Sequence, residues 1–329
     1  MRVKGPLMAH DDPPRHDRVG RARRAAPPGS AAARPRRARS QRARRRALFV
    51  LLAAAAVLAG ALVLALSHSG RSKSTAAAAQ RIVKVVIPEG KTRAQIALIA
   101  RADGLSGSYL DAARSSSLLD ARSYGAPAGT HGLEGFLFPA TYDMYTGEPA
   151  GRLVDEQLAA FREDVPSSAL ERARALHITP YDLLIVASMV EREAVLPGDR
   201  SKIAAVIYNR LREGMPLGID ASIYYAVEQA RGIATYSGEL TEEDLHIDSP
   251  YNTRTHVGLP PTPIANPGLA SILAAAHPAH VPYLYYVSGA DGCGEQVFSA
   301  TAAEFEANVA AYDAAVARSG GHPPACKHH

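Results

Sequence analysis

The chain places an acid where its pattern calls for a hydrophobe. LLIVASMVEREA occupies Leu183 to Ala194, inside a helix expected from Pro180 to Ala194. Leu183, Leu184, Ile185, Val186, Ala187, Met189 and Val190 leave that helix almost no polar face, the pattern of a buried element. At about 100° per residue, Glu191 falls on the stripe shared by Leu184 and Ala187, whereas Glu193 points roughly 200° away. A carboxyl group at the edge of a buried helix loses hydration, and lost hydration favours the protonated form. A general acid for glycoside chemistry needs that property. Arg192 and Glu193 also allow a plainer reading, in which the helix end simply reaches solvent and Glu191 is one more surface charge. Periodicity alone favours the plainer one.

Other reactive side chains are few. His277 and His280 in HPAH are spaced to suggest a metal, but no third ligand is placed to join them, so a structural role is expected and no metal. No motif asks for a cofactor. The two cysteines, Cys293 and Cys326, form neither a zinc cluster nor a disulfide framework. Outside a membrane they can pair. Cys326 lies in a tail expected to fray, so the expectation is that no ordered bridge forms.

The elements that must position Glu191 are legible on both sides of it. Ile82 to Ile87 is rich in β-branched residues and reads as a strand stopped by the turn Pro88-Glu89-Gly90. Thr92 can cap a helix with apolar positions Ile96, Leu98, Ile99 and Leu105, and a second helix is expected over Tyr109 to Ser115. This unit is small for independent stability and should lean on the residues C-terminal to it. Leu133 to Met144 (LEGFLFPATYDM) reads as strand and loop. Ala150 to Leu176 reads as one helix with Leu153, Leu158, Phe161, Leu170 and Leu176 inward. Thr179, Pro180 and Asp182 then supply a helix start: a capping hydroxyl, proline in the first helical position and an acid at the third. A further helix is expected from Asp199 to Arg212, closed by Gly214. Tyr283 to Gly289 and Gln296 to Ala300 read as a hairpin around Ala290 to Glu295, and Thr301 with Glu304 opens a last helix by a capping box. Helices mixed with antiparallel pairs argue an α+β fold.

Charge is divided unevenly along the chain. The formal net charge is +5, yet residues 1–46 carry 15 Arg and Lys against three Asp, a net of +12, so the remainder is near −7. A basic protein of this kind would suggest nucleic acid only if the charge sat on the folded part, which is acidic here. Residues 1–46 are expected to be a disordered basic cytoplasmic tail. Ala47 to Leu66 (ALFVLLAAAAVLAGALVLAL) has 20 residues without a charge, a helix of about 30 Å that matches a bilayer core. Arg42, Arg44, Arg45 and Arg46 abut its start, which by the positive-inside rule puts the N-terminus inside and everything after about Ser67 outside. A cleaved signal peptide is the rival, but its apolar region should be only about 7–15 residues. Residues 67–80 read as a linker, 81–125 as a first subdomain, 126–318 as the main domain and 319–329 as a disordered tail.

VASMVEREA, Val186 to Ala194, resembles the signature of the endolytic murein transglycosylase family, and it does not stand alone. IAAVIYNRLREGMPLGIDASIYYA (Ile203 to Ala226), SPYNTRTHVGLPPTPIANPG (Ser249 to Gly268) and AAAHPAHVPYLYYV (Ala274 to Val287) come after it in the family's order. Upstream, LEGFLFPATYDM and the IPEG-plus-helices segment are also similar, the latter looking like the family's LysM-like subdomain. The likeness spans about residues 82–315. It implies that Glu191, the first Glu of the V-E-x-E block, is the catalytic acid/base. It implies that Asp220, Tyr251, Asn252 and Thr253 are polar positions around the cleft, and that Pro260, Pro261, Asn266 and Pro267 form a rigid wall loop. For the polar positions turn capping is an equal alternative. The chain departs from the family at Gly218 and Ile219, where a Gln usually precedes the Asp, at Ala221-Ser222, usually Pro-Thr, and at Gln296, commonly His.

What the resemblance implies about function is a membrane-anchored lyase without cofactor or metal. It would cut the MurNAc–GlcNAc bond of peptidoglycan and leave 1,6-anhydro-MurNAc ends. Its short linker would keep it near nascent strands, with peptidoglycan synthases as partners and a role in ending strand elongation. Two rivals stand beside it, a non-catalytic peptidoglycan-binding or division scaffold and a hydrolase on the same fold. An intact Glu191 speaks against the scaffold.

Overall fold

A computed structural model describes residues 81–326. The basic tail, the apolar segment 47–66 and the linker 67–80 lie outside the described residues. Among the described residues, no helix is long and apolar enough to cross a membrane.

The first strand, β1 (Ile82–Val86), pairs antiparallel with β2 (Thr141–Tyr145), Ile82 opposite Tyr145 and Val86 opposite Thr141. Val85, Tyr142 and Met144 turn inward from this ribbon while Ile82, Val86 and Tyr145 stay exposed, the period-2 alternation of a half-buried sheet. Between the strands come α1 (Arg93–Ala102) and the short α2 (Tyr109–Ala112). Thr92 caps α1 in a reciprocal box with Gln95. β1 pairs beyond residue 125, so the first segment leans on the residues C-terminal to it, and the described residues belong to one compact unit. Rings close the junction. Phe136 packs edge-on against Tyr124 at 5.1 Å and Phe161 at 5.2 Å, and stacks with Tyr181 at 6.1 Å.

The long helix expected over Ala150 to Leu176 is in fact two, α3 (Ala150–Asp164) and α4 (Ser167–Ala175). Proline at 166 is the reason. The residue before a proline is pushed out of the helical region, and Val165 is extended at φ −86°, ψ 111°.

The central helix, α5 (Pro180–Glu193), begins as its sequence dictates, with Thr179 and Asp182 exchanging capping hydrogen bonds and Pro180 in the first turn. Every residue from Leu183 to Val190 is buried. Around it pack α4, α6 (Arg200–Arg212) and α9 (Leu269–Ala276), with α7 (Asp220–Arg231) touching one end and the single-turn α8 (Glu242–Leu245) beyond it. A hairpin of β3 (Tyr285–Ser288) and β4 (Gln296–Ser299), Tyr285 opposite Ser299, is covered by α10 (Ala302–Arg318). The architecture is a mixed α+β fold, as expected.

One expectation is corrected at the C-terminus. Cys293 and Cys326 form a disulfide across 33 residues. Gly320 and Gly321, at φ +77° and +88°, take left-handed conformations that turn the chain after α10. The returning segment lies so close to the hairpin turn that a side chain at Gly292 would overlap the Pro324 carbonyl. Residues 319–326 are therefore tied back to the hairpin by the bridge, with Pro324 half-buried and the rest exposed.

Candidate active site

Glu191 lies at the last turn of α5, half-buried, where the all-apolar helix runs out of core. Its Oε2 accepts a hydrogen bond of 3.1 Å from the backbone N–H of Gly268. Gly268 is the N-cap of α9, so an N–H free of helical partners serves the carboxyl group. The opposite wall is the turn after β1. Gly90 packs against the Glu191 side chain, and Arg192 Nη1 donates to the Gly90 carbonyl at 3.3 Å. The Gly90 N–H donates to the Asn266 carbonyl at 2.9 Å, and the Asn266 N–H to the Lys91 carbonyl at 3.0 Å. Turn and wall loop are thereby zipped together beside Glu191.

Asn266 organises that wall from within. Its Oδ1 accepts from the N–H groups of Gly135 at 2.7 Å and Leu137 at 3.0 Å. Its Nδ2 donates to the Lys91 carbonyl at 2.9 Å and to Glu134 Oε1 at 2.6 Å. Glu134 also accepts from the Arg93 backbone N–H and pairs with its guanidinium at 3.4 Å. Burial, opposed by Arg93 and these hydrogen bonds, pushes the Glu134 carboxyl up to about 7. Ser188 on α5 joins the same loop, accepting from the Ile264 N–H at 3.0 Å while donating to the Ile185 carbonyl.

Glu193 leaves the other side of α5. Its Oε2 accepts from the Tyr286 hydroxyl at 3.0 Å, tying the helix to β3, and burial raises its carboxyl above the ordinary range. The remaining expected positions fall apart into separate jobs. Asp220 is exposed at the start of α7 and paired with Arg254 at 2.6 Å. Tyr251 is half-buried, its hydroxyl 2.9 Å from Thr262 Oγ1 and its ring edge-on to Tyr225. Asn252 is fully buried and caps the chain after α8, donating to the Leu245 and Ile247 carbonyls at 3.0 Å each. Thr253, also buried, accepts from the Ile219 N–H at 2.9 Å and shares a hydrogen bond with Ser222. Asn252 and Thr253 thus face inward and hold the loop that carries Asp220 and Tyr251.

The departures at 218 and 296 have local settings. Gly218 donates its N–H to the Thr253 carbonyl at 2.9 Å, with the Arg210 guanidinium alongside. The Gln296 N–H donates to buried Asp199 at 2.8 Å. His277 closes α9 and, like His280, is exposed. Among the described residues, no three His, Cys, Asp or Glu side chains gather as a metal site.

One side chain of the site carries no mark in the sequence pattern. Glu89, at the tip of the Pro88-Glu89-Gly90 turn, is exposed, yet it reaches Gly268 from the opposite wall. Its carboxyl is raised first by lost hydration and then by the negative charge of Glu191, with Arg200 pulling the other way. An acid in a turn has no periodic signal, and only the Pro-Glu-Gly block itself points to it.

A model of the YceG-like family matches residues 41–311, a span that includes both walls of the Glu191 site and the loop between them. The chain belongs to the YceG-like family. Among curated relatives, the endolytic murein transglycosylase of Bacillus subtilis (strain 168) is 40% identical over 180 residues, 53% of this chain and 46% of that protein. The protein of the same name from Streptococcus pneumoniae serotype 2 (strain D39) is 38% identical over 159 residues, 47% of this chain and 28% of that one. The match thus spans less than half the length of those curated relatives. A crystal structure of a YceG-like protein from Listeria monocytogenes superposes with a TM-score of 0.59 at 32% identity, over 68% of this chain and 75% of that one.

Proposed function

We propose that this chain is a membrane-anchored endolytic lytic transglycosylase of peptidoglycan, with Glu191 as its acid/base. The observation that carries the reading is the setting of Glu191: a half-buried carboxyl at the end of a buried helix, one oxygen held by the Gly268 N–H at 3.1 Å. The relatives named endolytic murein transglycosylase supply the substrate class.

The Gly268 N–H orients the carboxyl and leaves its second oxygen for the glycosidic bond. Protonated Glu191 gives its proton to the oxygen joining MurNAc to GlcNAc, and the bond from that oxygen to C1 breaks. Positive charge develops at C1, where the muramyl acetamido group can stabilise it. Glu191, now a carboxylate, accepts the proton of the muramyl C6 hydroxyl as that oxygen bonds to C1. The ring closes as 1,6-anhydro-MurNAc and no water is consumed, so one carboxyl serves as acid and then as base. A glycosidase with two carboxylates at work would instead deliver water.

The apolar segment 47–66, with its basic flank, is read as an anchor that leaves the enzyme outside the membrane, close to emerging glycan strands and their synthases. The Cys293–Cys326 disulfide supports a non-cytosolic setting. The strand and two helices of residues 81–112 are read as a LysM-like piece that helps to hold the glycan. Asp220 and Tyr251 are proposed to border the cleft, with Asn252 and Thr253 positioning them.

The test is to incubate the full chain in detergent, and its Glu191→Gln counterpart, with peptidoglycan and weigh the products by mass spectrometry. Anhydro-muramyl ends from the wild type alone are expected. Hydrated reducing ends would make it a hydrolase, and equal activity in Glu191→Gln would remove Glu191 from the mechanism.

A further inference from the structure

We propose that Glu89 is a second carboxylate of this site, a positioning residue that acts through Glu191 across the Gly268 peptide. The inference rests on the transglycosylase reading. The two side chains come from opposite walls, Glu191 from the central helix and Glu89 from the turn after β1, and both end on Gly268. Glu191 takes the Gly268 N–H at 3.1 Å. Glu89 occupies the space where a side chain of residue 268 would project: a Cβ there would overlap Oε1 and Cδ of Glu89. The backbone of residue 268, φ −74° and ψ 166°, suits any residue, so a side chain there would act by pushing the Glu89 carboxylate aside.

The turn that carries Glu89 is not free to swing. The backbone exchange between Gly90, Lys91 and Asn266 and the Arg192 bond to the Gly90 carbonyl hold it against α5. Arg192 on α5 and Arg200 at the start of α6 are the cations beside the pair. Lost hydration and then the charge of Glu191 raise the Glu89 carboxyl, with Arg200 opposing. Negative charge on Glu89 in turn opposes a bare Glu191 carboxylate and favours the acid form that gives its proton to the glycosidic oxygen. After the transfer, the same repulsion favours taking a proton back from the C6 hydroxyl, so the pair ends the cycle as it began.

Two variants of the full chain separate this role from folding. Glu89→Gln keeps the size and removes the charge. Gly268→Ala keeps the N–H on Glu191 and displaces the Glu89 carboxylate. In both, the alkaline limb of kcat/KM for release of anhydro ends is expected to move down by about one pH unit. An unmoved limb, or a loss of rate equal at every pH, would overturn the proposal. Hydrated ends that vanish in Glu89→Gln would overturn it too, by making Glu89 the base for water. If the wild type cuts nothing, the transglycosylase reading fails by itself, and carboxyl NMR then judges the pairing alone. The Glu89 titration midpoint is expected to fall in Glu191→Gln, and an unchanged midpoint would sink the coupling.

Discussion

Glu134 shows how a residue remote from Glu191 can hold the wall beside it. It is buried beneath the wall loop, it holds Asn266 and Arg93, and its carboxyl is raised by burial from 4.5 to about 7. Proton binding sets the sign of its effect on stability. Between those two pH values the folded chain carries a proton there that the unfolded chain has lost. Rising pH therefore removes stability from about 4.5 to about 7, by up to roughly 3 kcal/mol from this group. Urea midpoints measured across that range should fall with pH in the wild type and be flatter in Glu134→Gln. The same slope in both proteins would refute the assignment. Glu193 and Glu89 are raised in the same direction, so the variant is expected to flatten the profile without levelling it.

At the scale of elements, the site depends on how one helix meets one loop. The central helix is buried from Leu183 to Val190 because that stretch has almost no polar face, and its serine hydroxyl, Ser188, accepts from the Ile264 N–H of the wall loop. Ser188→Ala leaves that buried donor without a partner, at a cost of about 1–3 kcal/mol. A chemical denaturation curve gives the first number, and the rate of glycan cleavage is expected to fall as well because the loop carries Gly268. A loss of stability with no loss of rate would show that the wall does not position Glu191. The break between α3 and α4 is the converse case. A single proline divides an otherwise continuous helical pattern, and the inward residues of both halves still reach the core.

Over the whole molecule, the N-terminal strand and helices are part of the main body. Their sheet is completed by residues 141–145, and their turn is a wall of the site. The C-terminal segment is likewise secured, by the Cys293–Cys326 bridge on the hairpin. Closing a loop of this length stabilises a chain by roughly 3–4 kcal/mol in the entropic account. Cys293→Ser is expected to lower the unfolding midpoint accordingly while leaving cleavage intact. Thiol alkylation of the folded protein, isolated without reductant, should label neither cysteine, and labelling of both would contradict the bridge.

Elements with local causes are legible in the chain before it folds. Capping residues at Thr92, Thr179 and Thr301, β-branched runs and an apolar helix are enough to set the α+β class and to put Glu191 at the edge of a buried helix, because each signal lies within one turn or one strand; periodicity by itself does not separate it from a surface charge. Pro166 is equally local, but the helical pattern continues on both sides and masks the break. Which distant residues meet is settled only by tertiary packing. Glu89 and Glu191 are 102 positions apart, and Gly268 is 77 beyond Glu191. The inward aim of Asn252 and Thr253, the partner of Cys326 and the pairing of β1 with β2 are of the same kind. Periodicity reports which face of an element is buried, and carries no information about which other element covers it.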